Sequence, residues 1–396
     1  MRIVHIEDFF HPDAGYQVNI LAKYMAKFGH EVTVICAEMD KIPDYLTRFF
    51  GRENIPQRDQ AYEEAFGVKI IRVPLVGFIS GRAIYSSELM KTVRACKPDV
   101  VFAHGNDTAT GMWATLNRKK FGCPIVLDSH MLEMASNNRF SKYFRLFYKY
   151  FLTPIIKKEK LTVIRTQDDL YVEKCLGIPL EQAPWISYGS DTMLFYPDKA
   201  QRDRFRQENN ISGDAFVVVY AGKLDEAKGG MLLADLTCQE LASDREVVFL
   251  IVGNTAGDYG AAVEAKFAQA KHRVLRFPTQ KYRELAQYFQ VADLAVFPRQ
   301  CSLSFYDVQA CGLPVLFENN NINTDRCSHD NGWTFQADDL QDFKRQLEQI
   351  LALSREDYEA VSRNSYLFIK DNYDYEEKAK EYMQILQADA AKGNRK

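Results

Sequence analysis

Several patterns that would assign this chain to a common class are missing from its 396 residues. The eight cysteines include no CxxC pair and no spacing typical of a metal site, so we expect reduced, buried thiols. No uninterrupted apolar run approaches the roughly 20 residues that span a bilayer. The opening MRIVHIED lacks the apolar core of a signal peptide. These absences predict a soluble, cytoplasmic protein.

An excess of positive charge is also missing. The 50 Lys and Arg residues against 53 Asp and Glu residues leave a net charge of −3, which argues against nucleic-acid binding through bulk electrostatics. Two glycine-rich phosphate loops are absent as well, namely GxxxxGK[ST] and a GxGxxG followed by an acid about twenty residues on. A P-loop NTPase and an NAD-dependent dehydrogenase are therefore disfavoured.

The chain has instead a regular alternation of short β-branched runs and helix-length segments. The predicted strands of the first half are Ile3–Ile6, Val32–Cys36, Lys69–Val73, Val100–Ala103, Ile125–Asp128, Thr162–Arg165 and Trp185–Tyr188. Those of the second half are Val217–Tyr220, Val247–Val252, Val274–Phe277, Leu294–Phe297, Val315–Phe317 and Trp333–Phe335. This alternation predicts parallel doubly wound sheets, and the chain length predicts two α/β domains. We place them at 1–194 and 195–374, with a final amphipathic helix in 375–396.

Two loops of the second half are suited to an anionic ligand. The stretch Asp293–Glu318 predicts a buried strand, a loop at Arg299–Ser304 and a helix. Upstream, the strand Phe216–Ala221 leads into GKLDEAKGG, which carries Lys223 and Lys228. Free N–H groups and the dipole at a helix N-terminus favour anions. We therefore expect these loops to hold a diphosphate without a metal ion.

The order and spacing of several motifs resemble those of family-4 glycosyltransferases. AGKLDEAKGG, LIVGN, ADLAVFP and DVQACGLPV are similar to that family's C-terminal domain, and HPDAGYQVNILAKYMAKFGHEVTVI resembles its opening. DNYDYEEKAKEYMQIL resembles its last helix, which crosses back to the first domain. The resemblance covers nearly the whole chain and implies the GT-B fold of two Rossmann-like domains. It also implies a retaining hexosyltransferase that moves a sugar from a nucleotide-diphosphate donor to a glycan or lipid-linked acceptor, in cell-surface polysaccharide or glycoconjugate synthesis.

The resemblance assigns the donor site to both loops. Lys223 and Lys228 match the family's diphosphate ligands, and Asp307 matches the second glutamate of its paired-glutamate motif, which binds the ribose hydroxyls. Arg299 stands where the family has the first glutamate, which addresses the donor sugar. From this charge reversal we hypothesise an acidic donor sugar, such as a uronic acid. The intervening backbone is expected to contact phosphate and sugar, at Cys301, Ser302, Leu303 and Ser304.

In the first half, Gly15 lies in a strand-to-helix loop where a donor phosphate can approach the backbone closely. His130 matches a family position that faces the donor sugar. A lone histidine is more often structural, but His104 ends the preceding strand, and ligands of doubly wound sheets bind at such strand ends. Further polar candidates near the same edge are Glu7, Asp8, Asn106 and Asp107.

The chemistry implied by the resemblance needs no protein nucleophile, because the departing phosphate takes the proton of the acceptor. The protein then supplies positioning and electrostatic stabilisation, for which His130, Lys223 and Lys228 are the candidates. No metal ion and no cofactor beyond the donor are expected. No DxD motif ends a strand with suitable neighbours, and the lysines carry the positive charge.

The segment Arg139–Lys160 interleaves basic residues with aromatic and aliphatic ones, and Glu159 is its single acid. A basic amphipathic helix is typical of proteins that bind an anionic membrane surface, here the inner face of the plasma membrane. A helix packed on the sheet with a solvated basic edge explains the pattern equally well.

Two other functions remain open on the sequence. A GT-B nucleotide-sugar epimerase needs paired acid/base carboxylates, but this chain has Arg299 in one of those places. A non-catalytic nucleotide-sugar-binding subunit is consistent with the missing glutamate. Release of nucleotide from the donor without an acceptor distinguishes an enzyme from such a binder.

Overall fold

The computed structural model describes residues 1–47, 50–79, 82–131, 140–299 and 303–393. The chain forms two compact units. The first contains Met1–Tyr188 together with the residues from Tyr375 onward, and the second contains Gly189–Asp374.

The first unit is built on a parallel sheet of order β3-β2-β1-β6-β7-β8. Its strands are β1 Arg2–Glu7, β2 Glu31–Ala37, β3 Val68–Val73, β6 Val100–Ala103, β7 Ile125–Ser129 and β8 Thr162–Arg165, and β4 Leu75–Ile79 and β5 Arg82–Tyr85 form a separate antiparallel pair. Its helices are α1 Gln17–Lys27, α2 Asp44–Thr47, α3 Ile55–Phe66, α4 Glu88–Ala95, α5 Ala109–Asn117, α6 Ser141–Phe147, α7 Thr153–Glu159 and α8 Tyr171–Lys174. A single turn of π-helix, here called the π-turn, joins α6 to α7 at Tyr148–Leu152. The apolar runs of the strands are buried between these helices and form the core.

The second unit repeats this architecture with a parallel sheet of order β11-β10-β9-β12-β13-β14. Its strands are β9 Phe216–Ala221, β10 Val247–Val252, β11 Arg273–Phe277, β12 Leu294–Phe297, β13 Val315–Glu318 and β14 Gly332–Phe335. Its helices are α9 Lys199–Glu208, α10 Gly230–Thr237, α11 Gly257–Phe267, α12 Leu285–Gln290, α13 Ser304–Ala310, α14 Asn321–Arg326, α15 Leu340–Leu351 and α16 Arg355–Asn372. The strands β9, β10 and β12 are almost wholly buried, as central parallel strands require.

The chain order reverses at one point in each sheet, between β1 and β6 and between β9 and β12. Ligands of open α/β sheets bind outside the carboxyl ends of the strands at such a switch point. Functional residues are therefore expected in the loops that follow these four strands.

The last helix, α17 Tyr375–Gly393, packs on α1 of the first unit. The Gln17 amide donates a 2.6 Å hydrogen bond to the Tyr382 hydroxyl, and the Lys27 ammonium lies 2.8 Å from the Glu376 carboxylate. The predicted doubly wound sheets and the returning helix are thus confirmed. In the part of the chain that the structure describes, no helix has the length and apolar character needed to cross a bilayer.

One predicted strand is wrong. Trp185–Tyr188 makes a single bridge, between Trp185 and Arg165, rather than a strand. The Arg165 N–H donates to the Pro184 carbonyl and the Ile186 N–H donates to the Arg165 carbonyl, but Arg165 is the last residue of β8, so the pairing does not continue beyond this bridge.

Candidate functional site

The lysine-bearing loop joins β9 to α10 and is held by local hydrogen bonds. The Tyr220 hydroxyl donates to the Lys223 carbonyl at 2.5 Å, and the Asp225 carboxylate accepts from the Lys228 N–H at 3.0 Å. Lys223 is exposed and Lys228 is half-buried. These hydrogen bonds hold the backbone that carries both lysines.

Glycines allow this loop to approach its neighbours. Gly229 has a φ of +74°, and a Cβ there would lie 2.9 Å from the Pro298 side chain. A Cβ on Gly253 would lie 1.9 Å from the carbonyl oxygen of Gly222. The loop after β9 thus lies directly against the loop after β10 and against the residues that follow β12.

Arg299 follows β12 and contacts this loop. Its Nη1 donates to the Glu226 carbonyl at 2.9 Å, and its Nε donates to the Asp338 carboxylate at 2.8 Å. The hydrogen bond to Asp338 raises the pKa of Arg299. The guanidinium that we expected to meet an acidic sugar is therefore already paired within its own unit. The predicted contacts at Cys301 and Ser302 lie outside the described residues, and Leu303 is exposed next to α13.

Asp307 lies in α13 and is only 7% exposed. Its Oδ1 accepts hydrogen bonds from the Ser190 hydroxyl at 2.8 Å and the Tyr282 hydroxyl at 3.4 Å. Burial raises the pKa of Asp307 to about 8, against the effect of the Ser190 hydrogen bond. At neutral pH the group is then mainly a neutral acid, which can both donate and accept a hydrogen bond.

A cavity of about 390 Å³ opens at the carboxyl ends of β10 and β11. Asn254, Thr255, Arg276 and Pro278 contribute to its lining. Arg276 is fixed there by Glu264 at 2.6 Å and by the Gly253 carbonyl at 3.0 Å. Sequence reasoning missed this cavity; the glycine and asparagine of LIVGN, directly after an apolar strand, were the available signal.

The carboxyl edge of the first sheet carries a chain of hydrogen-bonded rings around Asp128. The Asp128 carboxylate accepts from His104 Nδ1 at 2.7 Å through Oδ2 and from His130 Nε2 at 2.9 Å through Oδ1. His104 Nε2 lies 3.0 Å from His5 Nδ1, and His130 Nδ1 lies 2.5 Å from the Tyr188 hydroxyl. The structure thus brings His104 and His130 together, and it adds Asp128, His5 and Tyr188, which sequence reasoning did not assign to the site.

Charge is distributed unevenly along this hydrogen-bonded series of side chains. Burial opposes the charged form of His130, but the adjacent Asp128 carboxylate outweighs it and raises the pKa of His130 well above its usual range. Burial alone would raise the pKa of Asp128; the neighbouring His130 and His104 rings reverse this and lower it. Burial and the nearby His104 lower the pKa of His5 far below its usual range. The positive charge therefore resides toward the His130 end.

His104, Asp128 and His130 also have ligand atoms within 4.8 Å of one another, a grouping that could hold a metal ion. However, each carboxylate oxygen of Asp128 already accepts a hydrogen bond from one of the two rings. Hydrogen bonding accounts for this arrangement without a cation.

The other polar candidates of this edge differ in accessibility. Burial raises the pKa of Glu7, and it raises that of Asp8 to about 6 although Thr110 donates to the Asp8 carboxylate. Asn106 is fully buried and its amide donates to the Tyr148 hydroxyl at 3.0 Å, so it is not placed to meet an acceptor. Gly15 lies in the loop before α1, whose N-cap Tyr16 makes no side-chain capping bond.

The first residue of the basic segment Arg139–Lys160 lies outside the described residues. From residue 140 the segment runs through α6, the π-turn and α7, and large apolar side chains point to solvent. These exposed side chains are Phe140, Tyr143, Leu146, Phe147, Tyr150 and Phe151. Tyr143, Tyr150 and Phe151 are 71%, 68% and 63% exposed, whereas Tyr148 and Leu152 face the core.

Two family models match this architecture. "Glycosyl transferases group 1" matches residues 201–368, and "Glycosyl transferase 4-like domain" matches residues 14–154. The chain is a GT-B glycosyltransferase of the family 4, group 1 type. The expected family, fold and general activity are thereby confirmed.

Two relatives of this glycosyltransferase can be aligned with most of its length. A probable sucrose-phosphate synthase of Thermosipho melanesiensis is 22% identical over 95% of this chain and 92% of its own. A D-inositol 3-phosphate glycosyltransferase of Jonesia denitrificans is 24% identical over 80% and 78%. Among solved structures, HepE of Anabaena in complex with UDP and glucose covers 98% of this chain and 100% of its own, with 15% identity and a TM-score of 0.70.

Proposed function

We propose that the protein transfers a sugar from a nucleotide-diphosphate donor to a glycan or lipid-linked acceptor, with retention of anomeric configuration. The observation that carries the proposal is the loop of Lys223 and Lys228, fixed at the switch point of the second sheet. A structurally similar protein has been solved with UDP and glucose, which supports the same class of donor here.

The diphosphate, the nucleobase and the ribose of the donor each suit different residues of the second unit. The two ammonium groups suit the diphosphate, and each charge-assisted hydrogen bond contributes roughly 1.5–3 kcal/mol. The cavity at the ends of β10 and β11 is open to solvent, and the polar groups of Asn254, Thr255 and Arg276 along it suit a nucleobase. Asp307, as a neutral acid, suits a ribose hydroxyl. These assignments make the diphosphate the anchor of the donor.

Without a protein nucleophile, retention requires the acceptor to attack the face from which the nucleotide leaves. In the mechanism that we propose, the departing phosphate takes the acceptor's proton and the protein stabilises the negative charge that develops. Two positive groups are candidates for this role, namely Lys228 and His130, the latter charged through Asp128. Neither residue needs to act as a nucleophile.

The exposed aromatic face of residues 140–151 favours an acceptor at a membrane surface. Aromatic and aliphatic side chains there reach solvent beside Lys142, Lys149 and Lys157. A face of this composition inserts its apolar side chains into the headgroup region while its cations bind anionic lipid. We therefore propose a peripheral protein of the inner face of the plasma membrane, acting in cell-surface glycan synthesis.

A thermal-shift screen with UDP, GDP, ADP and dTDP tests the donor class, because a ligand of the native state stabilises it by mass action. We expect one nucleotide to raise the unfolding temperature, and the corresponding nucleotide sugar to release that nucleotide slowly without acceptor. Lys228→Ala and Asp307→Ala should reduce the shift, while Lys271→Ala, which removes an exposed ammonium paired with Glu240, should not. An unfolding temperature that rises with none of the four nucleotides would contradict the proposal.

A second candidate function is a non-catalytic nucleotide-sugar-binding subunit. It is favoured by the position of Arg299, which pairs with Asp338 where family members have a sugar-binding glutamate. This candidate predicts the same nucleotide shift but no release of nucleotide from the sugar donor. A GT-B epimerase would instead interconvert the donor sugar, which chromatography of the recovered nucleotide sugar detects.

A further inference from the structure

The ring of His130 has no nitrogen left for a substrate. Its Nε2 donates to Asp128 at 2.9 Å and its Nδ1 lies 2.5 Å from the Tyr188 hydroxyl oxygen. When the imidazole is charged, both nitrogens are donors and both are occupied. The resemblance to known glycosyltransferases points to His130 as the residue facing the donor, but in this protein the series of hydrogen bonds from Asp128 through His130 ends at the hydroxyl of Tyr188.

Tyr188 is held so that its hydroxyl extends this hydrogen-bonded chain. Its ring stacks on His130 at 18° with the centroids 6.0 Å apart. The segment before it is anchored to β8, because the Ile186 N–H donates to the Arg165 carbonyl at 3.0 Å. Among the described residues, His130 is the one hydrogen-bond partner of the Tyr188 hydroxyl. When His130 is charged its Nδ1 donates to this oxygen, and the hydrogen of the Tyr188 hydroxyl remains available to donate.

A hydroxyl that accepts a hydrogen bond from a cation is a stronger donor, because hydrogen bonds in a chain polarise one another. The far end of the chain is His5, which is fully buried and neutral, so the cationic charge lies next to Tyr188. Such a donor suits an oxygen on which negative charge develops during the reaction.

We propose that the Tyr188 hydroxyl, rather than the His130 ring, is the catalytic residue of the first unit, and that it donates a hydrogen bond to an oxygen of the sugar phosphate. His130 and Asp128 are then positioning residues that act through Tyr188. This inference rests on the proposed function, since it needs a sugar-phosphate bond that breaks.

Other titratable groups surround His130 and enter any pH profile. They are Asp128 on β7, His104 and Asp107 after β6, Glu7 at the end of β1, and Tyr188 itself. For this reason the test compares variants at one pH and uses the tyrosine, whose removal leaves these charges in place.

The test measures nucleotide release from UDP-glucose, GDP-mannose, ADP-glucose and dTDP-glucose at pH 7.5 by wild type and Tyr188→Phe. Phenylalanine keeps the stacked ring and removes only the hydroxyl. We expect kcat on the accepted donor to fall by about 10- to 100-fold, which corresponds to the loss of one hydrogen bond to a charged group, with KM changed less than about threefold. Tyr62→Phe is the matched control, because its hydroxyl also lies in the first unit and donates to the Asn19 carbonyl; its kcat should equal that of wild type.

Three outcomes separate this inference from the proposed function. An active wild type with an equally active Tyr188→Phe overturns the inference and leaves the function standing. A Tyr188→Phe that unfolds at a temperature far below both wild type and Tyr62→Phe assigns the hydroxyl a structural role, which also overturns it. A wild type that releases no nucleotide from any of the four donors contradicts the proposed function, and the inference with it.

Discussion

Arg299 donates a 2.9 Å hydrogen bond from Nη1 to the carbonyl oxygen of Glu226, within the loop that carries Lys228. The same guanidinium is held by Asp338, so Arg299 fastens the lysine-bearing loop to the end of β12. Arg299→Ala should loosen the loop and weaken binding of the nucleotide found by thermal shift by about 3- to 30-fold, which corresponds to the roughly 0.5–2 kcal/mol of such contacts. Titration calorimetry measures it.

Asp338→Ala should have a smaller effect in the same direction, because it leaves the bond to Glu226 intact. Arg345→Ala, which breaks an exposed pair with Asp342 on α15, is the control and should bind like wild type. Preferential loss of a uronic-acid donor in Arg299→Ala, with the parent nucleotide bound normally, would instead support the direct sugar contact expected from the sequence.

The close approach of Gly253 to Gly222 predicts a strong glycine requirement. In Gly253→Ala the added Cβ would lie 1.9 Å from the Gly222 carbonyl oxygen, and the φ of +147° is itself unfavourable for alanine. We expect the free energy of unfolding to fall by about 2–4 kcal/mol or more. Gly213→Ala is the matched control, because no atom lies within 4 Å of its Cβ. Chemical unfolding of both variants checks this, and equal stabilities would contradict it.

Burial of Asp307 predicts a pH dependence of stability. Its folded pKa of about 8 exceeds the ordinary value, so the folded state retains a proton that the unfolded state has lost between about pH 4 and 8. The contribution to stability is complete below about pH 4 and is lost as pH rises through 8, by up to about 1.4 kcal/mol per pH unit.

Asp307→Asn removes this proton equilibrium and keeps the shape of the side chain. We therefore expect the unfolding temperature of the variant, relative to wild type, to rise steadily from pH 5 to pH 8. A difference that is constant over this range would show that the carboxyl group is ionised in the folded protein at neutral pH.

Residues 140–151 predict binding to anionic vesicles. Tyr150→Ser and Phe151→Ser together remove two side chains that are 68% and 63% exposed, so folding should be unaffected. The affinity for vesicles of phosphatidylglycerol and phosphatidylcholine, measured by cosedimentation, should fall at least about tenfold. The reason is that each exposed aromatic ring contributes on the order of 1–2 kcal/mol when it is buried in the membrane. Tyr45→Ser, also an exposed tyrosine, is the control. Wild type that stays in the supernatant would contradict the membrane proposal.

Apolar periodicity was sufficient to predict the two sheets, because β1, β9, β10 and β12 are continuous buried runs between helix-length segments. It missed the β4–β5 pair and α3. Leu75–Ile79 has two exposed positions, Val76 and Ile79, and α3 is mostly polar, so neither carries a strong periodic signal. Burial against the rest of the unit, rather than local pattern, stabilises such elements.

The candidate site was predictable only as far as residue types at strand ends indicate chemistry. His104 and His130 could be chosen because each follows a strand, but His5 lies inside β1 and meets His104 only through the pairing of β1 with β6. Likewise, 39 residues separate Arg299 from Asp338, and no spacing rule connects them. Contacts of this kind depend on the fold and not on adjacency in the chain.

The central claim is that ammonium groups, and not a bound cation, neutralise the donor's diphosphate. Calorimetric titration of UDP and UMP into wild type and a Lys223→Ala/Lys228→Ala variant, each with and without EDTA, tests it most directly; if the thermal-shift screen selects another base, its mono- and diphosphates replace these. We predict that EDTA leaves diphosphate binding unchanged, and that the double variant loses about 10- to 100-fold in diphosphate affinity with little change for the monophosphate. Diphosphate binding that disappears with EDTA, or that survives loss of both lysines, would contradict the account.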